Sequence, residues 1–506
     1  MENFVHLFQG FGTALSLANI LAAIVGALLG LVIGAMPGIG SLAGCALLLP
    51  LTFRLDPTTA IIMLAAIYYA NMYGGAFSSI LLNIPGDSAA ILTALDGFPM
   101  TQNGKAGKAL FAANISSFVG GTIGIIMLTV LAPALAVLGL KFGPAEMVAL
   151  LVFALTSIGS MLDQDSKCGL VATGFGILLA MVGMDPTSGT VRYTFGNINL
   201  LSGLDFVPLV IGMFGFSQVI EMLLEDQDMV YKGKDKLTIR GSFLNKQELK
   251  AIMPISAQGG VMGTLMGLIP GSGATIASFV CYMIAKKTSK RGKEFGTGIV
   301  EGVAAAEAAN NSASVGAFAP LLSLGIPGSG TTAVLLGGLM MWGLQPGPQL
   351  FAKEPEFVWG LIASMYIGNL ICFIIAIAVI PFLVSILKVP SSIMIPIIMV
   401  LCVVGAYSAN NNMFDVYVML VSGALSYILS VNNIPIAPLL LSFVLTPRLE
   451  SSFTQALQIS HGSFAIFVQK PISLTLLIGM LIFIIAPTIV RTVRKRNAAK
   501  QGAADA

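Results

Sequence analysis

Four short runs in this chain combine the residue types that can hold an anion without carrying charge. They are Met36-Pro37-Gly38-Ile39-Gly40-Ser41, Asn83-Ile84-Pro85-Gly86-Asp87-Ser88, Ile269-Pro270-Gly271-Ser272-Gly273-Ala274 and Gly325-Ile326-Pro327-Gly328-Ser329-Gly330-Thr331-Thr332. Each sets a Pro-Gly pair inside an apolar, helix-like run. Proline stops a helix, and glycine lets the backbone come close to a ligand. A helix that restarts after such a break presents unpaired N–H groups and the positive end of its dipole. That end suits a carboxylate or a phosphate. The substrate-binding candidates are therefore Gly38, Gly40, Ser41, Gly86, Ser88, Gly271, Ser272, Gly273, Gly328, Ser329, Gly330, Thr331 and Thr332. No Lys or Arg falls in any break, so an anion there would be held by dipoles and hydroxyls, weakly and reversibly. The plainer account is a set of kinks in which Ser and Thr repair broken backbone bonds.

A second chemistry lies beside the first. Asn71, Asn83, Asn310 and Asn311 bring amide oxygens near the breaks, and Asp87 and Glu307 bring carboxylates. An ionisable group inside a membrane segment is a functional candidate by default. These six residues are the coupling-ion candidates, for Na⁺ or for a proton, and a Na⁺ site is the one metal site the sequence allows. Each carboxylate has a rival role. Asp87 can cap a helix, and Glu307 sits in water if its segment starts later. Asn410-Asn411-Asn412 and Asn432-Asn433 read as caps and turns. His6 and His461 are too isolated to act as a pair.

The elements that must position these groups are membrane helices. Apolar residues make up 56% of the chain and charged residues 10%, against about 25% charged in a soluble domain. The net charge of +3 does not call for a nucleic acid. Cys45, Cys168, Cys281, Cys372 and Cys402 lie in or beside apolar runs, with no C-x-x-C spacing, so neither a disulfide framework nor a zinc site is expected. The N-terminal run lacks a basic n-region and a small-residue cleavage site, and reads as a retained membrane segment. A spanning helix needs about 20 apolar residues. On that measure the chain is an all-α polytopic membrane protein of about 10 to 12 transmembrane helices. Asp56-Pro57 should start one of them as N-cap and first helical residue. The apolar run 303–326 reads as one segment. Runs 41–53, 274–286, 330–344 and 434–445 are too short to cross and read as half-helices or re-entrant arms.

The organisation is two membrane repeats, 15–224 and 251–490, joined by a polar segment, 225–250, and followed by a basic tail, 491–506. The joining segment is either a solvated loop or an interfacial helix. Gly26, Gly30, Gly34, Pro37, Gly38 and Gly40 recur 233 positions later as Gly259, Gly263, Gly267, Pro270, Gly271 and Gly273. Gly75-Ala76-Phe77 recurs as Gly316-Ala317-Phe318, and Pro85-Gly86 as Pro327-Gly328 after a one-residue slip. The G-x-x-x-G faces have a packing role. Basic residues in the 286–293 loop and the tail should face the cytoplasm. The matching loop of the first half holds Arg54 beside Asp56, which implies opposite topology for the two halves. Inverted repeats with broken helices signal alternating access around a midplane site.

The run from Gly34-Ala35-Met36-Pro37-Gly38-Ile39-Gly40 through Tyr69-Ala70-Asn71-Met72-Tyr73-Gly74-Gly75 to Asn83-Ile84-Pro85-Gly86-Asp87 and Asp96-Gly97 resembles the large membrane subunit of the tripartite tricarboxylate transporter family. Glu307-Ala308-Ala309-Asn310-Asn311 with Gly325-Ile326-Pro327-Gly328 fits the same pattern. The resemblance covers roughly residues 15–490, with no equally sharp motif in the C-terminal third. It implies an ion-driven secondary transporter of the bacterial inner membrane. It also implies two partners, a small membrane subunit of about four helices and a periplasmic solute-binding protein. The implied substrate is citrate or another carboxylate. A different organic anion and a passive anion channel are the alternatives. No H-E-x-x-H, no G-x-G-D and no P-loop occurs, so neither an intramembrane protease nor an ATPase is expected.

Overall fold

The protein is described from a computed structural model, which covers residues 2–36, 39–160, 166–185, 188–224, 237–271, 273–382 and 391–482. Its helices are α1 (Glu2–Ala14), α2 (Leu17–Ala35), α3 (Gly40–Leu48), α4 (Pro57–Leu82), α5 (Ile91–Gln102), α6 (Ala106–Gly139), α7 (Pro144–Ser160), α8 (Ser166–Ala180), α9 (Phe206–Val210), α10 (Ser217–Leu224) and α11 (Ile239–Ser242). Then come α12 (Lys246–Gly267), α13 (Gly273–Thr288), α14 (Val300–Gly316), α15 (Phe318–Leu324), α16 (Gly330–Met341), α17 (Leu350–Lys353), α18 (Pro355–Val379), α19 (Ser391–Asn410), α20 (Met413–Val431), α21 (Ile436–Ile459) and α22 (Ile466–Gln469). Among the described residues the only paired strands are β1 (Gly183–Met184) and β2 (Val191–Arg192). Seven described helices are long and apolar enough to span a membrane. The chain is an all-α, multi-pass membrane protein. Asp56 caps α4 as its sequence suggests, accepting a bond from the Thr58 N–H at 3.0 Å with Pro57 in the first turn.

Two compact bodies form. One holds Met1–Gly139 and Leu204–Asn432; the other holds Leu140–Gly203 and the chain from Asn433 onward. In the second body α21 packs on α7 and α8. The short arm expected at 434–445 is here one helix running on to Ile459. The polar residues after Leu445 look like an exit from the membrane, yet the helix continues. One of them, Glu450, pairs with Arg192 at 2.6 Å.

The first body is built on two helices sealed on every side. In α4 every residue from Ala60 to Leu81 is buried, and in α14 every residue is buried. Small residues make such burial possible, because neighbouring backbones must come close. A Cβ on Gly26, Gly30 or Gly34 of α2 would strike the carbonyl oxygens of Met63, Ile67 and Asn71 of α4. On α12 the same holds: Gly263 and Gly267 meet the carbonyls of Ala309 and Ala313, and Gly259 meets the Ala308 methyl. The contacts match one for one. α2 and α12 are 233 positions apart, while α4 and α14 are 242 apart.

This register corrects the slip read from the sequence. Gly74 of α4 abuts the Leu31 carbonyl, and Gly316 of α14 abuts the Thr264 carbonyl. Gly86 abuts Gly34 and Gly75, while Gly328 abuts Gly267 and Ala317. Gly316 is thus the counterpart of Gly74, and the 242-residue spacing runs without a gap from Gly74 to Pro85 and from Gly316 to Pro327. Identity at Gly-Ala-Phe misaligned the strings by one residue; packing sets the true register. The run 303–326 is also not one helix: α14 ends at Gly316 and α15 begins at Phe318.

One long helix of each repeat packs on the core of the other. α6, from the first, packs on α12 and α14, with Gly120 against Ala308. α18, from the second, packs on α2 and α4, with Gly368 against the Tyr69 hydroxyl. The basic tail and residues 225–236 of the joining segment lie outside the described residues.

Gly30→Ala and Gly263→Ala should destabilise the protein equally, by about 1–3 kcal/mol each, the usual range for overpacking. Gly12→Ala, with open space around it, should be neutral. Thermal unfolding of the detergent-purified chain measures all three.

Candidate functional site

The four breaks come together in the first body. The chain leaves α4 through Asn83 in the left-handed conformation and leaves α15 through Gly325 in the same conformation. Each then runs through Ile-Pro-Gly into an extended residue that caps the next helix: Asp87 on one side, Ser329 on the other. The helices after the other two breaks, α3 and α13, begin at Gly40 and Gly273. These have φ +63° and +57°, a region glycine enters without strain. Gly38 and Ser272 lie outside the described residues.

Hydrogen bonds tie the breaks to each other. Asp87 Oδ2 accepts from the Ser41 N–H at 2.9 Å and the Ser41 hydroxyl at 2.7 Å. Its Oδ1 accepts from the Ala89 N–H at 3.2 Å and the Ser88 hydroxyl at 3.2 Å. The backbone N–H of Gly271 donates to the Gly328 carbonyl at 3.1 Å. Those bonds join breaks of the same repeat. Two more cross between repeats: the Ser41 and Thr331 hydroxyls lie 3.0 Å apart, and the Ser88 and Thr275 hydroxyls 2.8 Å apart. They are related by the repeat, since each joins the start of α3 or α13 to the helix restart of the other half. Ser329 and Thr332 form a capping box at the head of α16, and the Tyr68 hydroxyl lies 3.2 Å from Ser329 Oγ.

The cluster is graded from inside to outside. Ser41, Gly86, Gly328, Thr331 and Thr332 are buried; Gly40, Asp87, Gly271, Gly273, Ser329 and Gly330 are half-buried; Asn83 and Ser88 are exposed. The electrostatics of the two halves differ. In the first, the Asp87 carboxylate occupies the N-terminal end of α3 as well as capping its own helix, so that end is already neutralised by the protein. In the second, the corresponding residue is the neutral Ser329. The first-turn N–H groups of Gly330 and Thr331 have no partner within α16. This half therefore keeps a positive dipole end without a carboxylate of its own.

The remaining polar candidates sit on the sealed helices. Asn71 of α4 is fully buried with neither amide atom bonded, its Nδ2 facing Gly44. Glu307, Asn310 and Asn311 of α14 are buried, which removes the possibility that Glu307 stands in water. The Thr93 hydroxyl donates to Glu307 Oε1, and the Ser117 hydroxyl donates to Oε2 at 3.2 Å. Asn311 Nδ2 donates to Ser117 Oγ at 2.8 Å and to Asn310 Oδ1 at 2.6 Å. The Asn83 side chain is not part of this group.

Comparison with known proteins follows the same outline. The tripartite tricarboxylate transporter TctA family matches residues 20–441. This chain belongs to that family. It is a membrane subunit of a family of transporters, not of enzymes. It is 40% identical over 487 residues to an uncharacterized 52.8 kDa protein in the TAR-I ttuC′ 3′ region of Agrobacterium vitis, with 96% of each chain covered. It is 44% identical over 225 residues to an uncharacterized protein in the TAR-II ttuC′ 3′ region of the same organism, covering 44% of this chain and 93% of that one. No solved structure matches. The family match takes in all four breaks and both sealed helices.

Sequence reasoning missed three residues that organise the TctA-family core. Thr93 and Ser117 are ordinary hydroxyls in apolar helices, and spacing gives no sign that they converge on Glu307. Asp96 is the third. It is fully buried, and its Oδ1 accepts from the N–H groups of Gly296, Gly298 and Ile299 at 2.9–3.1 Å. Its Oδ2 accepts from the Tyr282 hydroxyl at 2.7 Å. A first-repeat carboxylate thus fixes the start of α14. Its one signal was the Asp96-Gly97 pair within the family-like run.

Asp96→Ala should cost about 2–3 kcal/mol, because the loop's donors lose their acceptor, and should speed tryptic cleavage after Lys290 and Lys293. Asp96→Asn, which keeps one carbonyl oxygen, should lose less. Thermal shift and limited proteolysis of the purified chain check both.

Proposed function

We propose that this chain is the translocating subunit of a cation-coupled secondary transporter that imports tricarboxylates such as citrate by alternating access. One observation carries the reading: four helix breaks from two related halves meet in one partly exposed cluster lined by hydroxyls and helix ends. In membranes, irregular backbone of this kind is tolerated where it is buried in protein or lines a cavity, and paired broken helices mark carrier substrate sites. The absence of Lys and Arg from the breaks fits a site that must release its anion as well as bind it. Within the cluster the substrate carboxylates belong at the second-half end, around Gly328, Ser329, Gly330, Thr331, Gly271 and Gly273. Asp87 already fills the first-half end and would repel an anion there. Na⁺ or H⁺ is the coupling ion.

The partners in this reading are the small four-helix membrane subunit and a periplasmic solute-binding protein that delivers the substrate. The setting is the bacterial inner membrane, with the basic tail after residue 490 in the cytoplasm. The repeats would have inverted topology, and movement would change the contacts that cross between them.

Citrate uptake into proteoliposomes holding the chain and both partners is the direct test. Uptake should be saturable and should require an imposed Na⁺ or pH gradient. Ser329→Ala and Thr331→Ala should raise the citrate KM several-fold. Uptake that is non-saturable, or indifferent to both gradients, would make the protein a channel. A second test uses the inter-repeat contact. Ser88→Cys combined with Thr275→Cys should form a disulfide under mild oxidation, visible as a mobility shift, and should stop uptake until reduced. Full uptake by the cross-linked protein would mean that this contact does not move during transport.

A further inference from the structure

Hydrogen-bond directions at the breaks set one hydroxyl apart from the rest. A hydroxyl has one proton and two lone pairs, so its protein partners decide what it can offer a ligand. Ser41 gives its proton to Asp87 Oδ2 at 2.7 Å, and Ser88 gives its proton to Asp87 Oδ1 at 3.2 Å. Thr332 gives its proton to the Ser329 carbonyl at 2.9 Å. Because the Ser41 proton is committed, Thr331 is the donor in their 3.0 Å contact. Thr331 therefore serves its break through that bond and through its backbone.

Ser329 is different. Its Oγ accepts the Thr332 N–H at 3.2 Å and lies 3.2 Å from the Tyr68 hydroxyl. Tyr68 is buried, and among the described residues Ser329 Oγ is its one hydrogen-bond partner. A buried hydroxyl proton needs an acceptor, so Tyr68 is the donor. Both lone pairs of Ser329 Oγ are then filled, and its own proton is left to give. The protein acceptor in reach is Thr332 Oγ1 at 3.2 Å, which already takes the Ser329 N–H at 2.8 Å. A carboxylate oxygen is the stronger acceptor.

We infer that Tyr68 is a positioning residue for the substrate: its hydroxyl fixes Ser329 as the donor to one substrate carboxylate. This assignment rests on the proposed transport function and refines its second-half end. Without Tyr68, Ser329 Oγ can turn a lone pair outward, and a lone pair repels an anion. With it, the Ser329 proton joins the first-turn N–H groups of α16 as a donor. The repeat supports the assignment. At the 242-residue spacing Tyr68 corresponds to Asn310, and Ser329 to Asp87. A carboxylate cap has no proton to orient, and that half has no tyrosine at the matching position; Asn310 Oδ1 instead accepts from Asn311 Nδ2 at 2.6 Å. Packing holds the phenol ring, which lies against Phe318 of α15 with ring centres 6.0 Å apart. The sealed helix of the first repeat thus sets a donor in the second.

The test is citrate uptake into proteoliposomes holding the chain and both partners, with initial rates fitted for KM and kcat. KM does not depend on how much folded protein the vesicles hold. Tyr68→Phe keeps the ring and removes the hydroxyl. It should raise the citrate KM about three- to tenfold, the effect of losing one hydrogen bond, and change kcat less than about twofold. Ser329→Ala should raise KM at least as much. Tyr68→Phe added to Ser329→Ala should change nothing further, because the tyrosine acts through that hydroxyl. Tyr73→Phe removes another buried hydroxyl of α4, the donor to Asn369 Oδ1 at 2.8 Å, and should keep the wild-type KM. A wild-type KM in Tyr68→Phe beside a raised KM in Ser329→Ala would overturn the assignment alone. So would losses from the two substitutions that multiply, or an equal effect from Tyr73→Phe. A wild-type KM in Ser329→Ala, or no saturable uptake by the unsubstituted protein, would sink the transport-site reading and the assignment with it.

Discussion

Everything in the first body depends on the sealing of α4 and α14. A helix surrounded by protein on all sides can satisfy its backbone only along its own axis. Where it ends, the freed N–H and C=O groups are met mainly by protein, because the breaks are only partly exposed. α4 ends at Leu82 and the α14–α15 run ends at Leu324, both inside the body. The polar groups released there must find one another. The Ser41–Asp87, Ser41–Thr331 and Gly271–Gly328 bonds are that solution. The cluster of breaks follows from the sealing, and the sealing follows from the glycines of α2 and α12.

The glycines also explain why the repeat is so legible. Close helix contact tolerates no side chain, so Gly26, Gly30 and Gly34 and their counterparts are fixed by geometry at intervals that the eye finds in one sequence. The same holds for Pro85-Gly86 and Pro327-Gly328, where the chain must turn against a carbonyl of α2 or α12. Residues held by backbone contact leave a mark in the string. The polar cluster around Glu307 does not, because Thr93, Ser117 and Asn311 come from three helices and nothing local marks their meeting. Asp96 hides for the same reason: its partners lie some 200 residues away, and three of the four are backbone groups. Ends of helices were less legible than their middles. α21 outruns its apolar stretch by more than three turns, and the α14–α15 break at Ala317 falls where the sequence stays apolar.

The symmetry of the scaffold makes its asymmetries informative. The two halves share contacts down to single carbonyls, yet they differ at the positions that carry charge. Asp87 faces Ser329 across the repeat, and Glu307 faces Ala65. Each half therefore carries carboxylates that the other does without, Asp87 and Asp96 in the first and Glu307 in the second. Asp87 is fully hydrogen-bonded and holds two helix ends together. Glu307 is only partly satisfied and shares its helix with an amide oxygen that has no partner, that of Asn311. The first is explained by the fold it supports; the second is not.

That contrast separates the two chemistries of the chain. A carrier for a multiply charged anion needs a place where negative charge is welcome and a way to bring positive charge with it. In the second half the breaks have no carboxylate among their capping residues, so the dipole ends of the restarting helices are not cancelled there. The negative side chains lie elsewhere, one locked as a cap and one buried in a cluster of oxygens. In the proposed mechanism these uncancelled helix ends let the substrate site hold an anion without a permanent positive charge.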